Sequence, residues 1–177
     1  MSANATSKGW QDWKLLLVFA ALKLLLHFLT NTNYGFHRDE FLYLTIGERL
    51  AWGYMEVPPV IAVFGKLALR LGGHLFFVRL FPALIGGITV FLLGVMVKEL
   101  GGKKWAQSFA CLAFILSPAF MRSNTLFQPV SFDLFCWFLA SFFIVRLVKY
   151  QQPKYWFYLG IVAGLGFLTK YSIVFFY

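Results

Sequence analysis

LFFVRLFPALIGGITVFLLGVMV, residues 75–97, decides the fold. A helix rises about 1.5 Å per residue, so a run of this length crosses a hydrocarbon core of about 30 Å. Working outward, apolar stretches of comparable length occupy residues 13–30 on one side and 105–121, 130–148 and 155–177 on the other. The reading is an all-α polytopic membrane protein with about five transmembrane helices.

Composition agrees. Of 177 residues, 60% are hydrophobic, 20% aromatic and only 13% charged, against about 25% charged in soluble domains. The net charge of +9 would suggest nucleic acid in a soluble protein, but the basic residues lie mainly between apolar runs. Their partners are membrane lipids and the anionic membrane face, and no nucleic acid is expected. Cys111 and Cys136 both fall inside apolar segments without CxxC spacing, which reads as packing.

Lys8 and Lys14 precede the first apolar run as they would in a signal peptide, but no small-residue cleavage site follows, so the run reads as an uncleaved anchor. Lys98, Lys103 and Lys104 share a side with Arg146, Lys149 and Lys154. The positive-inside rule puts that side, and by parity the amino terminus, in the cytoplasm. Arg38, Arg49, Lys66 and Arg70 in the first outer loop count the other way. Asn4-Ala-Thr6 fits a glycosylation sequon but falls on the cytoplasmic side and reads as chance. The chain ends at Tyr177 inside an apolar run, which reads as C-terminal truncation.

The outer loop, residues 31–74, is too long for a turn and too apolar for a solvated linker. It predicts two interfacial juxtamembrane helices. Leu42, Tyr43, Ile46 and Leu50 form the apolar stripe of the first, with Glu40 and Glu48 away from it. Pro58-Pro59 breaks the chain and opens the second, where Val60, Val63, Phe64, Leu67 and Leu71 share a face and Lys66 and Arg70 make a basic one.

Of the seven acidic residues, Asp39, Glu40, Glu48 and Glu56 fall in this loop. Scarce carboxylates gathered at a membrane surface point to chemistry; the bland reading for Asp39 and Glu40 is helix capping. His37-Arg38-Asp39 matches the start of a kinase catalytic loop but lacks the required Asn, since Leu44 stands there. His37, Asp39, Glu56 and His74 are conceivable metal ligands, with Asp39 and Glu56 the first candidates, although their spacing fits no ligand signature. Within the spans, Lys170 either snorkels or holds a partner, Lys23 and His27 face a cavity or a neighbouring helix, and Asp133 is placed to pair with Arg122. Gly160-x-x-x-Gly164 fits a helix-packing motif.

Three features together resemble the GT-C membrane glycosyltransferases of the protein O-mannosyltransferase and aminoarabinose-transferase type (glycosyltransferase family 39). They are Asp39-Glu40 after the first span, Ala51-Trp-Gly-Tyr-Met-Glu56-Val-Pro58-Pro59 between the two surface helices, and Gly164-Leu-Gly-Phe-Leu-Thr-Lys170. The resemblance covers nearly the whole chain and implies that residues 1–177 are the N-terminal part of a single GT-C transmembrane domain. Relatives of this kind carry many more spans and usually a soluble C-terminal domain.

The implied activity is inverting transfer of a sugar from a polyprenyl-phosphate donor to an acceptor hydroxyl or phosphate on a lipid, glycan or protein. The implied setting is the outer face of a prokaryotic plasma membrane. By that resemblance Asp39 is the base, with Glu40 beside it. Glu40 and Glu56 position the acceptor or a divalent ion, and Lys170, with Lys66 or Arg70, holds the phosphate. The competing reading is a transporter or lipid flippase, which explains the charged spans but gives no reason for a carboxylate-rich outer loop.

Overall fold

The computed structural model describes residues 3–176, with side chains from Trp13 onward. The side chains of Asn4, Thr6 and Lys8, and Tyr177 at the end of the last expected span, lie outside the described residues.

The described chain is helical: α1 (Ala3–Thr30), α2 (Arg38–Glu48), α3 (Val60–Arg70), α4 (Leu75–Glu99), α5 (Lys104–Leu116), α6 (Pro118–Thr125), α7 (Pro129–Tyr150) and α8 (Lys154–Thr169), then a 3₁₀ turn at Tyr171–Phe175. Among the described residues three segments are long and apolar enough to cross a membrane: Trp13–Thr30, Leu75–Glu99 and Pro129–Tyr150. The other two expected spans take a different form. Ser117 precedes Pro118 and is held extended at ψ 121°, because the proline ring disfavours the α region in the residue before it. That splits the third expected span into α5 and α6. The fifth expected span stops at Thr169, where Lys170 turns extended at φ −160° and ψ 136°. Lys170 is thus exposed at a helix end instead of lying within an apolar helix.

α4 is the hub, packed against α1, α5, α6, α7 and α3. Small residues make this possible, as expected where close backbone approach and dispersion hold helices together in lipid. A Cβ on Gly94 would collide with Leu16, and one on Gly87 would lie 3.0 Å from Leu24, both on α1. Gly160 and Gly164 have nothing near their missing Cβ atoms, so the expected packing motif faces outward and packs on no helix among the described residues.

Lys23 and His27 face neighbouring helices. The Lys23 ammonium donates to the Phe120 carbonyl at 3.3 Å and sits 5.4 Å above the Phe114 ring, while His27 Nδ1 lies 3.5 Å from Thr125 Oγ1. Asp133 is not paired with Arg122. It accepts from Ser172 Oγ at 2.7 Å and Trp137 Nε1 at 3.3 Å, which ties the 3₁₀ turn to α7. Cys111 and Cys136 are free and buried, as packing residues should be.

The two surface helices pack on each other through their smallest residues. A Cβ on Gly65 would stand 2.6 Å from the Tyr43 carbonyl, and one on Gly47 would stand 2.8 Å from the Gly65 backbone. The inward face of α3 is Ile61, Ala62, Gly65 and Ala68, while Val63 and Leu67 are exposed. The α2 stripe differs from expectation in the same sense: Glu40, Leu44 and Gly47 are buried, and Leu42 and Leu50 are exposed. Leu44, Ile61, Val78, Phe127 and Phe132 form a core beneath the helices, with the Phe64 ring 4.5 Å from that of Phe132. This core joins the segment 31–74 to the ends of α4 and α7.

Candidate functional site

The first turn of α2 sets the site. His37 is extended at ψ 149°, and its Nδ1 accepts from the Asp39 amide at 3.3 Å, while its own amide donates to Glu40 Oε2 at 2.7 Å. This is a reciprocal cap that satisfies two of the helix's orphan donors. Capping is therefore done by His37 and Glu40, and the Asp39 carboxylate takes no part in it.

Glu40 is fully buried in a bidentate pair with Arg79 of α4, Nε to Oε1 and Nη2 to Oε2, both at 2.9 Å. Oε1 also accepts from the Phe127 amide at 3.0 Å. The remaining guanidinium donors reach the carbonyls of Asn31 at 2.6 Å, Tyr34 at 3.1 Å and Gly35 at 2.7 Å. All five guanidinium N–H groups are used. A buried ion pair survives only with this degree of hydrogen bonding, and breaking one by removing a partner costs about 3–5 kcal/mol. Glu40, expected beside the base as a catalytic group, has its oxygens committed to holding residues 31–40 and the start of α7 on α4.

Asp39, one position earlier, points to the surface with 31% of its side chain exposed. Oδ2 accepts from Gln128 Nε2 at 2.8 Å, and Oδ1 lies 3.3 Å from Nε of Arg38, which is 92% exposed and holds it only weakly. Gln128 precedes Pro129 in extended backbone and begins α7, so the carboxylate is fixed where α2 meets α7. One turn on, the Tyr43 phenol is held above its ordinary range, first by burial and then by the charges of Asp39 and Glu56. That shared influence places Tyr43 and both carboxylates in one neighbourhood.

Glu56 itself is exposed on the loop between α2 and α3 and lines a recess of 240 Å³ with Leu42, Ile46 and Tyr54. Tyr54 pins this loop, its hydroxyl donating to the Arg49 carbonyl at 2.8 Å and accepting from the Ala51 amide at 2.9 Å.

The expected cations are dispersed. Lys66 donates to the Glu48 carbonyl at 3.0 Å and so closes the C-terminal end of α2. Arg70 is exposed in the last turn of α3. An apolar groove of 330 Å³ lined by Leu50, Trp52, Pro59, Val63 and Leu168 brings the end of α8, and with it the start of the Lys170 turn, beside α3. Among the described residues no three His, Cys, Asp or Glu side chains are placed to hold a metal ion.

Two participants escaped the sequence reading. Arg79 carried a usable signal, being a charge inside an apolar span, where an ionisable group calls for a named partner. Gln128 carried none, because its role depends on α7 starting beside α2.

The helices of membrane length place this chain among all-α membrane proteins. Residues 56–177 match the profile of the dolichyl-phosphate-mannose-protein mannosyltransferases, and the chain belongs to that family of membrane glycosyltransferases. Asp39 and Glu40 lie ahead of the matched residues. The chain is also similar to the lipid A galacturonosyltransferase RgtD of Rhizobium johnstonii, 26% identical over 142 residues, which is 79% of this chain and 30% of that protein. The chain thus spans about a third of the length of this relative. No solved structure matches it.

Proposed function

We propose that the protein transfers a sugar from a polyprenyl-phosphate carrier to an acceptor hydroxyl, or to an acceptor phosphate, at the outer face of a prokaryotic plasma membrane, with inversion and with Asp39 as base. The observation that carries this reading is the division of labour in the acidic pair: Glu40 is buried and saturated, whereas Asp39 is partly exposed, free of capping and held by Gln128. In the reaction, Asp39 accepts the proton of the acceptor hydroxyl as its oxygen bonds to the anomeric carbon. The bond from that carbon to the carrier phosphate breaks on the opposite face, and the phosphate leaves with the electron pair. An acceptor phosphate needs no deprotonation at neutral pH, so the base is required only for a hydroxyl acceptor.

Glu40 acts through position, since its pairing with Arg79 fixes the turn that presents Asp39. Glu56, beside its recess, binds the acceptor. Lys170 holds the departing phosphate, supported by Lys66 or Arg70, because cations placed where negative charge develops lower the barrier. The groove beneath Trp52 and Leu168 suits the first isoprene units of the tail, which enters sideways from the lipid. The family name concerns a lipid-linked mannose and RgtD a galacturonosyl transfer to lipid A.

The full-length protein, reconstituted in vesicles with a radiolabelled polyprenyl-phosphate sugar pool, should pass label to an envelope acceptor and release the unlabelled carrier. Movement of labelled donor across the vesicle without covalent transfer would contradict the reading and favour a flippase.

A further inference from the structure

Asp133, in the second turn of α7, is an ionisable group inside an apolar span to which the proposed reaction gives no task. It is buried, and no basic side chain among the described residues pairs with it. A carboxylate is kept in such a place against its desolvation cost only where hydrogen bonds offset that cost, and an ionisable residue within a span calls for a functional reason. Its two oxygens are divided. Oδ1 accepts from Trp137 Nε1 at 3.3 Å, one turn along the same helix, while Oδ2 accepts from the Ser172 hydroxyl at 2.7 Å, in the turn that follows α8.

Helix α8 stops at Thr169 although neither proline nor glycine occurs in residues 170–176. Local propensity gives no reason for the break, and two tertiary contacts supply one. Ser172 is held by Asp133, and Ile173 turns back into a notch over Gly166, where a Cβ would stand 2.7 Å from Ile173 Cγ1. Between the end of α8 and these anchors the backbone of Lys170 is extended, and its side chain is left exposed.

We infer that Asp133 is a positioning residue for Lys170, acting through Ser172. The inference rests on the reading of Lys170 as the cation for the carrier phosphate. One end of α7 holds both halves of the proposed site: Gln128, its N-cap, donates to Asp39 at 2.8 Å, and Asp133, five residues further on, holds the turn that carries Lys170. Five residues of helix span about 7.5 Å. The start of α7 is then a rigid spacer between the proposed base and the proposed phosphate cation, and groups referred to a helix are held more precisely than groups on a free loop. Fixing the turn before the donor arrives also lowers the ordering cost of binding. A staple with no bearing on Lys170 would stabilise the fold alone, whereas a positioning contact changes recognition of the phosphate and leaves recognition of the isoprenoid tail as it is.

The test is binding of farnesyl phosphate, and of farnesol with the same tail and no phosphate, to the full-length protein in detergent, with unfolding midpoints measured alongside. K170M should weaken farnesyl phosphate binding at least about tenfold. D133L and S172A each remove the same hydrogen bond to a charged acceptor and should each weaken it about tenfold, the double variant no more than either alone. Farnesol binding should change in none of them. In the K170M background S172A should have no further effect, because the contact acts through that lysine. Unchanged farnesyl phosphate affinity in folded S172A, an equal loss of farnesol affinity, or an undiminished effect of S172A on top of K170M would overturn the inference while the role of Lys170 itself stood. Unchanged affinity in folded K170M would instead show the reading of Lys170 to be wrong, and the positioning role would fall with it.

Discussion

Replacing Arg79 by Met leaves the Glu40 carboxylate buried beside five backbone groups arranged for a charged pair. The predicted loss is about 3–5 kcal/mol of stability, read as a lowered unfolding midpoint in detergent. Asp39→Ala, at a partly exposed residue that caps nothing, should leave that midpoint nearly unchanged; a stable Arg79→Met protein would show that the pair does not anchor the turn. Lys170→Met tests the proposed phosphate contact. Losing a hydrogen bond to a charged group costs about 1.5–3 kcal/mol, so donor affinity should fall at least about tenfold, and unchanged affinity in a folded protein would leave Lys170 as a surface residue. The acidic pair was legible from the scarcity of carboxylates alone. How its members divide their roles was not, because Glu40 finds its partner 39 residues away in another helix, and Asp39 finds Gln128 across 89.

At the scale of the elements, α2 and α3 meet where Gly47 faces Gly65. Gly65→Ala puts a methyl group against the Tyr43 carbonyl, and since backbone cannot yield as a side chain does, a cost of about 1–3 kcal/mol is expected from overpacking. Gly160→Ala, with nothing near its Cβ, should be close to neutral. Thermal unfolding of the two variants compares them directly, and equal effects would contradict the packing described. Both surface helices were legible from periodicity and from Pro58-Pro59, but the direction of their faces was not. In water the large apolar stripe turns inward. In lipid exposing it costs little, so Val63 and Leu67 face out while Ala62, Gly65 and Ala68 permit close approach. The same ambiguity hid the break at Ser117-Pro118, since apolar residues resume after the proline at Ala119, Phe120 and Met121.

Taken whole, the chain has a buried or half-buried ion pair toward each end of α4, with Glu40 paired to Arg79 near one end and Glu99 to Lys149 at the other. The proposed orientation has a direct test, because Cys111 and Cys136 are buried and give little background. A single cysteine at Trp52 should react with an impermeant reagent in intact cells, and one at Lys103 only after permeabilisation; the reverse pattern would invert the topology and move the transfer reaction to the other face. The central claim rests on Asp39. Asparagine keeps its shape and its contact with Gln128 while removing the base, and loss of a general base costs about 10² to 10⁴ in rate. Sugar transfer to a hydroxyl acceptor by the full-length Asp39→Asn protein should therefore fall by that factor with unfolding midpoint and donor affinity intact, whereas near-normal transfer by a folded Asp39→Asn protein would contradict the account.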